Sequence, residues 1–290
     1  MEINVLQRLV RDQGLAWQPA ETELSRASDA EKRSRLGAVP PSGAPSLAER
    51  ELHAAAAPIT TAPGLPTSVD WRNKSGNWVT PIEDQGACGS CVAFGTVASF
   101  ESHVRIAASN AGMRVDLSEA DLWFCWGPNH GAGKCPVGGW WPDSALPGLV
   151  PGIVDAGCFA YTANDQPCNR CADAASRLTK ITGWHSISNT ADMKTFLASS
   201  GPLITCFTVY DDFYNYVGGV YSPSSDPSNA VVGGHCVCIV GYDDTNNFWI
   251  CKNSWGVAWG EQGFFRIAYG KCGIDAEMWA IDGVGPSVTV

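Results

Sequence analysis

From Ser90 onward, Phe94, Val97, Ala98, Val104 and Ala108 recur at the three-to-four-residue spacing of a buried helical face, and Asn110-Ala-Gly112 stops the pattern. The spacing predicts one long helix. Ser118, three residues ahead of Asp121 and the apolar Leu122-Trp-Phe124, predicts a second capped helix, with Asp in place of the usual Glu or Gln. Beyond Pro202 the period changes to short β-rich runs at residues 203–210, 236–242, 248–251 and 264–269, broken by Asp243-Asp-Thr-Asn-Asn247 and Gly260-Glu-Gln-Gly263. These read as hairpin-linked strands. Helices first and strands later predict an α+β protein of two lobes with a cleft between them, and no internal repeat is visible.

Composition adds a boundary. Of the 12 Cys and 12 Trp, residues 1–64 hold one Trp and no Cys, so core-building material is concentrated in residues 65–290. The first part becomes Ala/Pro/Ser-rich through residues 37–45 and 54–64, which reads as a linker or detachable extension. With 45% hydrophobic and 17% charged residues, collagen, coiled coil and wholesale disorder are excluded. A net charge of -10 without a basic stripe leaves no electrostatic footprint for nucleic acid. No signal peptide is recognisable, and nothing approaches the ~18 apolar residues of a membrane span, so no membrane partner is expected.

The sharpest local signal is Gln85-Gly-Ala-Cys-Gly-Ser-Cys91, where small residues end and the long helix begins. Unpaired amides and the positive end of the helix dipole at that position bias the Cys91 thiol toward thiolate, the nucleophilic form. Cys88-x-x-Cys91 also fits a redox pair or half a zinc site, with Cys168-x-x-Cys171 as a second pair. The 76 residues between the pairs exceed the ~15 to 20 of a zinc ribbon.

A reactive Cys needs a base, and the base needs an orienter. His53 lies in the extension, His103 on the long helix, and His130 and His185 in irregular polar surroundings. His235 differs, because it follows Gly233-Gly234 and opens the strand run Cys236-Val-Cys-Ile-Val240. In Lys252-Asn-Ser-Trp255, Asn253 could hold the imidazole through its amide oxygen and Trp255 could shield that bond from water. Each alone has a plain structural reading; the combination carries the weight.

That combination resembles the papain family of cysteine proteases. The likeness continues through Val69-Asp-Trp-Arg72, Val79-Thr-Pro81, Leu117-Ser-Glu119, Trp259-Gly-Glu261, Gly263-Phe-Phe-Arg266 and Cys272-Gly-Ile274, in the family's order over residues 65–282. It implies a papain-like two-lobe fold, with a mainly helical lobe at residues 65–200 and an antiparallel sheet or barrel lobe at 201–290. It also implies a cysteine endopeptidase in which Cys91 is the nucleophile, His235 the acid/base, Asn253 its orienter and Gln85 the oxyanion donor. Residues 1–64 would be an inhibitory pro-segment, crossing the cleft through Leu36-Gly-Ala-Val-Pro40 until cleaved within residues 54–64, although they are short for that role and lack the family's long helical signature. Val92 departs from the family's usual Trp, and Gly234 stands where some relatives carry Asp.

The resemblance places Gly138, Gly139, Trp140 and Trp141 along the substrate-binding wall, with Trp255, Cys206 and Cys236 bordering it. Glu277 falls where cathepsin B-like members carry an acidic residue in the main specificity pocket, which would admit a basic side chain. It further implies disulfides of Cys88 with Cys135, of Cys125 with Cys168 or Cys171, and of Cys158 with the remaining one. Cys206, Cys236, Cys238 and Cys251 alternate with strand apolars and read as buried thiols. Twelve cysteines point to an oxidising, secreted, periplasmic or lysosome-like site of action. The expected partners are peptide or protein substrates and the chain's own N-terminal segment, acting on a monomer without cofactor or metal. Two other classes stay open: a peptide-binding homologue without turnover, and a thiol-redox protein using Cys88 and Cys91.

Overall fold

The computed structural model describes residues 1–285. Three helices, α1 (Ile3–Asp12), α2 (Asp29–Ser34) and α3 (Leu47–Ala56), and one short strand, β1 (Trp17–Pro19), precede the first strand of the main body, β2 (Ser68–Asp70). The N-terminal part therefore carries regular elements, while the linker reading holds for residues 37–45 and 57–64, which lie outside every helix and strand. At α3 the Ala-rich reading fails because Ser46 and Glu49 form a reciprocal capping box, each side chain bonding the other's backbone N–H.

The helical lobe is built on α4 (Cys91–Ala107), whose residues 91–105 are all buried, the mark of a core helix rather than an amphipathic surface one. The predicted second capped helix is a single wide turn at Asp121–Trp126. Ser118 does accept from the Asp121 N–H at 2.9 Å, but the Asp121 carboxylate is drawn away to the Val154 N–H and Arg170, so it cannot complete the box. The short helix α5 (Pro142–Ala145) and the disulfides Cys88–Cys135, Cys125–Cys168 and Cys158–Cys171 close this lobe.

The second lobe follows as β3 (Ile181–Ile187), α6 (Thr190–Ser199), β4 (Leu203–Tyr210), β5 (Tyr216–Tyr221), β6 (Val231–Asp243), β7 (Phe248–Lys252), β8 (Phe264–Ala268) and β9 (Met278–Val284). These strands form one sheet in the order β1-β5-β8-β7-β6-β4-β9-β3, with β2 on β6. All neighbours are antiparallel except β5 and β8. The order runs open from β1 to β3, so the barrel alternative is not realised; β1, from the N-terminal segment, covers one edge instead. His185, expected in irregular surroundings, lies on β3.

Two apolar cores result. One gathers the sheet's inner face with Leu6, Val10, Trp17, Leu24 and Leu36 of the N-terminal segment; the other surrounds α4 and includes Cys91, Val97, Phe100, Leu122, Trp123 and Ala38. Leu36 and Ala38, two residues apart, thus belong to different cores. The segment crosses the seam between the lobes at Gly37.

Candidate active site

Cys91 opens α4 as a free thiol with no solvent exposure. His235 stands on β6 opposite Phe207 of β4, also fully buried. Its Nε2 lies 2.7 Å from Asn253 Oδ1, just beyond the end of β7. The same oxygen accepts from the Ser254 backbone N–H at 2.8 Å. Because a backbone N–H can only donate, the atom there is the amide oxygen, and His235 must carry its proton on Nε2. Nδ1 is left with a free lone pair and no hydrogen-bond partner. Trp255 covers the imidazole, ring centroids 4.8 Å apart.

Gln85 is fixed in the same manner. Ser254 Oγ lies 2.7 Å from its Oε1, and its Nε2 donates to the Cys88 carbonyl at 2.7 Å and to the Arg35 carbonyl at 3.0 Å. Ser254 and Tyr161, whose hydroxyl donates to the Gln85 carbonyl at 2.8 Å and meets Ser90 Oγ at 2.8 Å, position the site without having been singled out in the sequence. Ser254 lay inside a recognised motif; Tyr161 carried no local signal.

The N-terminal segment fills the cleft. Ala38 N–H donates to the Gly234 carbonyl, Val39 N–H to the Trp140 carbonyl, and the Gly139 and Trp140 N–H groups to the Gly37 carbonyl, so the segment is held by backbone bonds from both lobes. A Cβ on Gly37 would lie 1.8 Å from the Gly89 carbonyl oxygen, and one on Gly138 would lie 2.8 Å from Gly37 Cα. Gly138 also has φ +69, a left-handed conformation, so bare backbone meets bare backbone here. A Cβ on Gly234 would come within 2.1 Å of the Ala38 carbonyl oxygen, so the segment approaches β6 this closely only over a bare backbone. Arg35 pairs with Asp84, and Arg50 with Glu277, both from the segment to the body. Neither arginine was picked out from the sequence.

This covering sets the electrostatics. Burial pushes the Cys91 thiol up to about 12, although the N–H groups of Cys236, Gly37 and Val92 oppose the shift. Burial holds His235 down at about 4 despite its bond to Asn253. The thiolate expected from the helix terminus alone is therefore not the covered state, because desolvation outweighs the dipole. Cys206 and Cys236 face each other across β4 and β6 as buried free thiols; Cys238, Cys251 and Cys272 are likewise buried and free. The dithiol reading of Cys88 and Cys91 fails, since Cys88 is bonded to Cys135 and Cys91 is free. Trp140 packs on Trp123, and Trp141 on Trp279. Among the described residues, no helix is long and apolar enough to cross a membrane.

A family model described as papain family cysteine protease matches residues 65–281. The chain is 37% identical over 219 residues to pro-cathepsin H of Mus musculus, covering 73% of this chain and 63% of that protein's length. It is 34% identical over 248 residues to cathepsin B-like CP3 of Giardia intestinalis, covering 80% of each. Among solved structures, the digestive procathepsin L2 proteinase of the Tenebrio molitor larval midgut superposes with a TM-score of 0.76 at 26% identity, covering 96% of this chain and 88% of that one. The procathepsin B S9 of Trypanosoma congolense superposes with a TM-score of 0.77 at 20% identity over 99% of both chains.

Proposed function

Given that the chain belongs to the papain family of cysteine proteases, we propose that it is a latent endopeptidase whose residues 1–64 cover the catalytic cleft of residues 65–290. The observation that carries this reading is the Arg35 carbonyl held by Gln85 beside a sealed Cys91: a peptide carbonyl of the segment already occupies the amide donor that a substrate carbonyl would use. The sulfur, however, meets the N–H of Gly37 instead of a carbonyl carbon.

Once the segment leaves, water reaches the thiol and the imidazole, and the helix terminus can favour the thiolate. Nδ1 of His235 takes the Cys91 proton, while Asn253 keeps the ring oriented through Nε2. The thiolate attacks a peptide carbonyl, and the developing oxyanion is held by the Gln85 amide and the Cys91 backbone N–H. Protonated His235 gives its proton to the departing amine, and the same ring, now neutral, activates the water that hydrolyses the thioester. No cofactor or metal enters these steps.

Gly138 and Gly139 offer backbone to an extended peptide, as they now do to Gly37. The wall comprises Trp140, Trp141, Cys206, Cys236 and Trp255, and Glu277 gives its pocket a preference for a basic side chain. Thr60 is tied through its N–H to Thr190 Oγ1, and Thr61 through its hydroxyl to Asp244, so within the cleavage stretch 54–64 the cut is placed beyond these ties, at residues 62–64. Three disulfides in the helical lobe support an oxidising, secreted or lysosome-like site of action.

The test is peptide turnover after the linker of the full chain has been cut. Cys91→Ala should abolish turnover, and Asn253→Ala should lower it while leaving Cys91 present and alkylatable. Undiminished hydrolysis by the Cys91→Ala protein would refute the reading.

A further inference from the structure

β4 and β6 carry a pair of free thiols directly opposite each other. Cys206 is in register with Cys236, both are buried, and both belong to the core around α4, so their side chains lie on the same face of the sheet. The two thiols are hydrogen-bonded to each other. The other free cysteines of these strands lack such a partner among the described residues, since Cys238 stands between Ile204 and Lys252, and Cys251 stands opposite Ile239.

The backbone bonding shows which kind of opposed pair this is. Thr208 N–H donates to the Cys272 carbonyl, and the Gly234 carbonyl accepts from Ala38, so Thr208 and Gly234, in register with each other, direct these groups elsewhere. Bonded and unbonded pairs alternate along an antiparallel ladder, which makes Cys206 and Cys236, two residues further along, an unbonded pair as well. The Cys236 N–H agrees, because it points away from β4 to the Cys91 sulfur. Side chains approach most closely in such pairs, whose Cα atoms lie about 4.5 Å apart. A disulfide spans roughly 4.4–6.8 Å between Cα atoms, so this pair can close with little movement of the backbone. A Cβ on Gly95 would lie 3.0 Å from the Cys236 sulfur, so α4 packs over this sulfur with a residue that has no side chain.

We propose that Cys206 and Cys236 form a dithiol redox site, oxidised to a disulfide by small-molecule disulfides of the glutathione type once the cleft is open. The thiolate of one cysteine attacks a sulfur of oxidised glutathione, a mixed disulfide forms and one glutathione thiol leaves. The second thiolate attacks the protein sulfur of that mixed disulfide, the Cys206–Cys236 bond forms and the other glutathione thiol leaves. The pair gives up two electrons, and its two protons pass to the two glutathione thiols. Oxidation fastens β4 to β6 beside His235 without consuming Cys91. Ala38 and Leu47 of the N-terminal segment pack against the same core, so access to the pair rests on the reading of residues 1–64 as a cover. The chemistry needs no peptide turnover.

The experiment uses the full chain carrying Cys91→Ala, which removes the competing thiol and self-cleavage, with its linker cut by limited proteolysis. Millimolar oxidised glutathione is added at mildly alkaline pH, remaining thiols are alkylated in denaturant, and peptic peptides are mapped without reduction. The expected result is a Cys206–Cys236 link, with the loss of two alkylatable thiols per chain and full reversal by excess reduced glutathione. Adding Cys206→Ser should leave Cys236 as a persistent glutathione mixed disulfide, because no opposed thiol remains to release it. Mapping of the unsubstituted pair does not depend on that variant, so it stands even if the variant folds poorly. Two unmodified thiols, glutathione retained on either cysteine while the other stays free, or a bond from either to Cys238, Cys251 or Cys272 would overturn the proposal. In the uncut chain the link should form at least about tenfold more slowly, since exchange depends on access. Equal rates in cut and uncut chains would count against the cover and still support the pairing, so the two readings fail separately.

Discussion

Lowering the pH should open the N-terminal segment, and the size of the effect follows from His235. In the covered state burial holds this imidazole at about 4, whereas uncovering returns it toward its ordinary value near 6.5. The open state therefore binds more protons than the closed one across this window. The closed form's advantage is fully present above about 6.5 and is lost as the pH falls toward about 4. Between pH 7 and pH 5 the opening equilibrium should rise about 20-fold, or about 1.8 kcal/mol. Hydrogen exchange of the Ala38 and Val39 amides reports opening directly, because they bond the Gly234 and Trp140 carbonyls across the cleft. The measurement uses the full chain carrying Cys91→Ala to prevent self-cleavage, with rates corrected for intrinsic pH dependence. A flat corrected profile, or the same slope in a chain that also carries His235→Gln, would refute the reasoning.

Other consequences can be checked separately. Gly37→Ala places a methyl group where only 1.8 Å separates its Cβ from the Gly89 oxygen, so the segment must lift and Cys91 alkylation in the intact chain should speed up by at least about tenfold. After linker cleavage, Gln85→Ala should lower kcat by roughly 10²- to 10³-fold, the cost of one oxyanion donor, as measured by steady-state peptide hydrolysis. Glu277→Ala in the cleaved enzyme should remove cleavage after an arginine in the pocket while sparing leucine or phenylalanine, and equal losses on both would count against the pocket role. Replacing Cys125 and Cys168 by Ser removes a link spanning 43 residues and should destabilise the helical lobe by about 3–4 kcal/mol, seen as a lower denaturant midpoint.

The long helix and the later strands were legible because their periods are strong: α4 is buried on every side, and β4, β6, β7 and β8 fall on the apolar runs. Cys91, His235, Asn253 and Gln85 were each singled out from a compact motif, although β6 begins at Val231, so that His235 lies inside the strand rather than ahead of it as the Gly233-Gly234 pair suggested. Their meeting depends on α4 packing across β6, a tertiary fact that no local spacing contains. The segment was harder to read. Its Ala and Pro content suggested a linker, and the capping box from Ser46 to Glu49, present in the sequence, went unread. Arg35 and Arg50 look like solvated charges along the chain, and only the fold brings them to Asp84 and Glu277. The turn at Asp121 shows the converse: a capping signal was read correctly at Ser118, and its partner was diverted by a contact with Arg170.

The most direct test of the central claim cuts the linker of the full-length chain by limited proteolysis, treats the product with an epoxysuccinyl inhibitor and maps the adduct by peptide mass spectrometry. The account predicts a single adduct on Cys91, appearing only after the cut and in step with the loss of peptide hydrolysis. An adduct on Cys206, Cys236 or another thiol, or hydrolysis that continues with Cys91 fully modified, would contradict it.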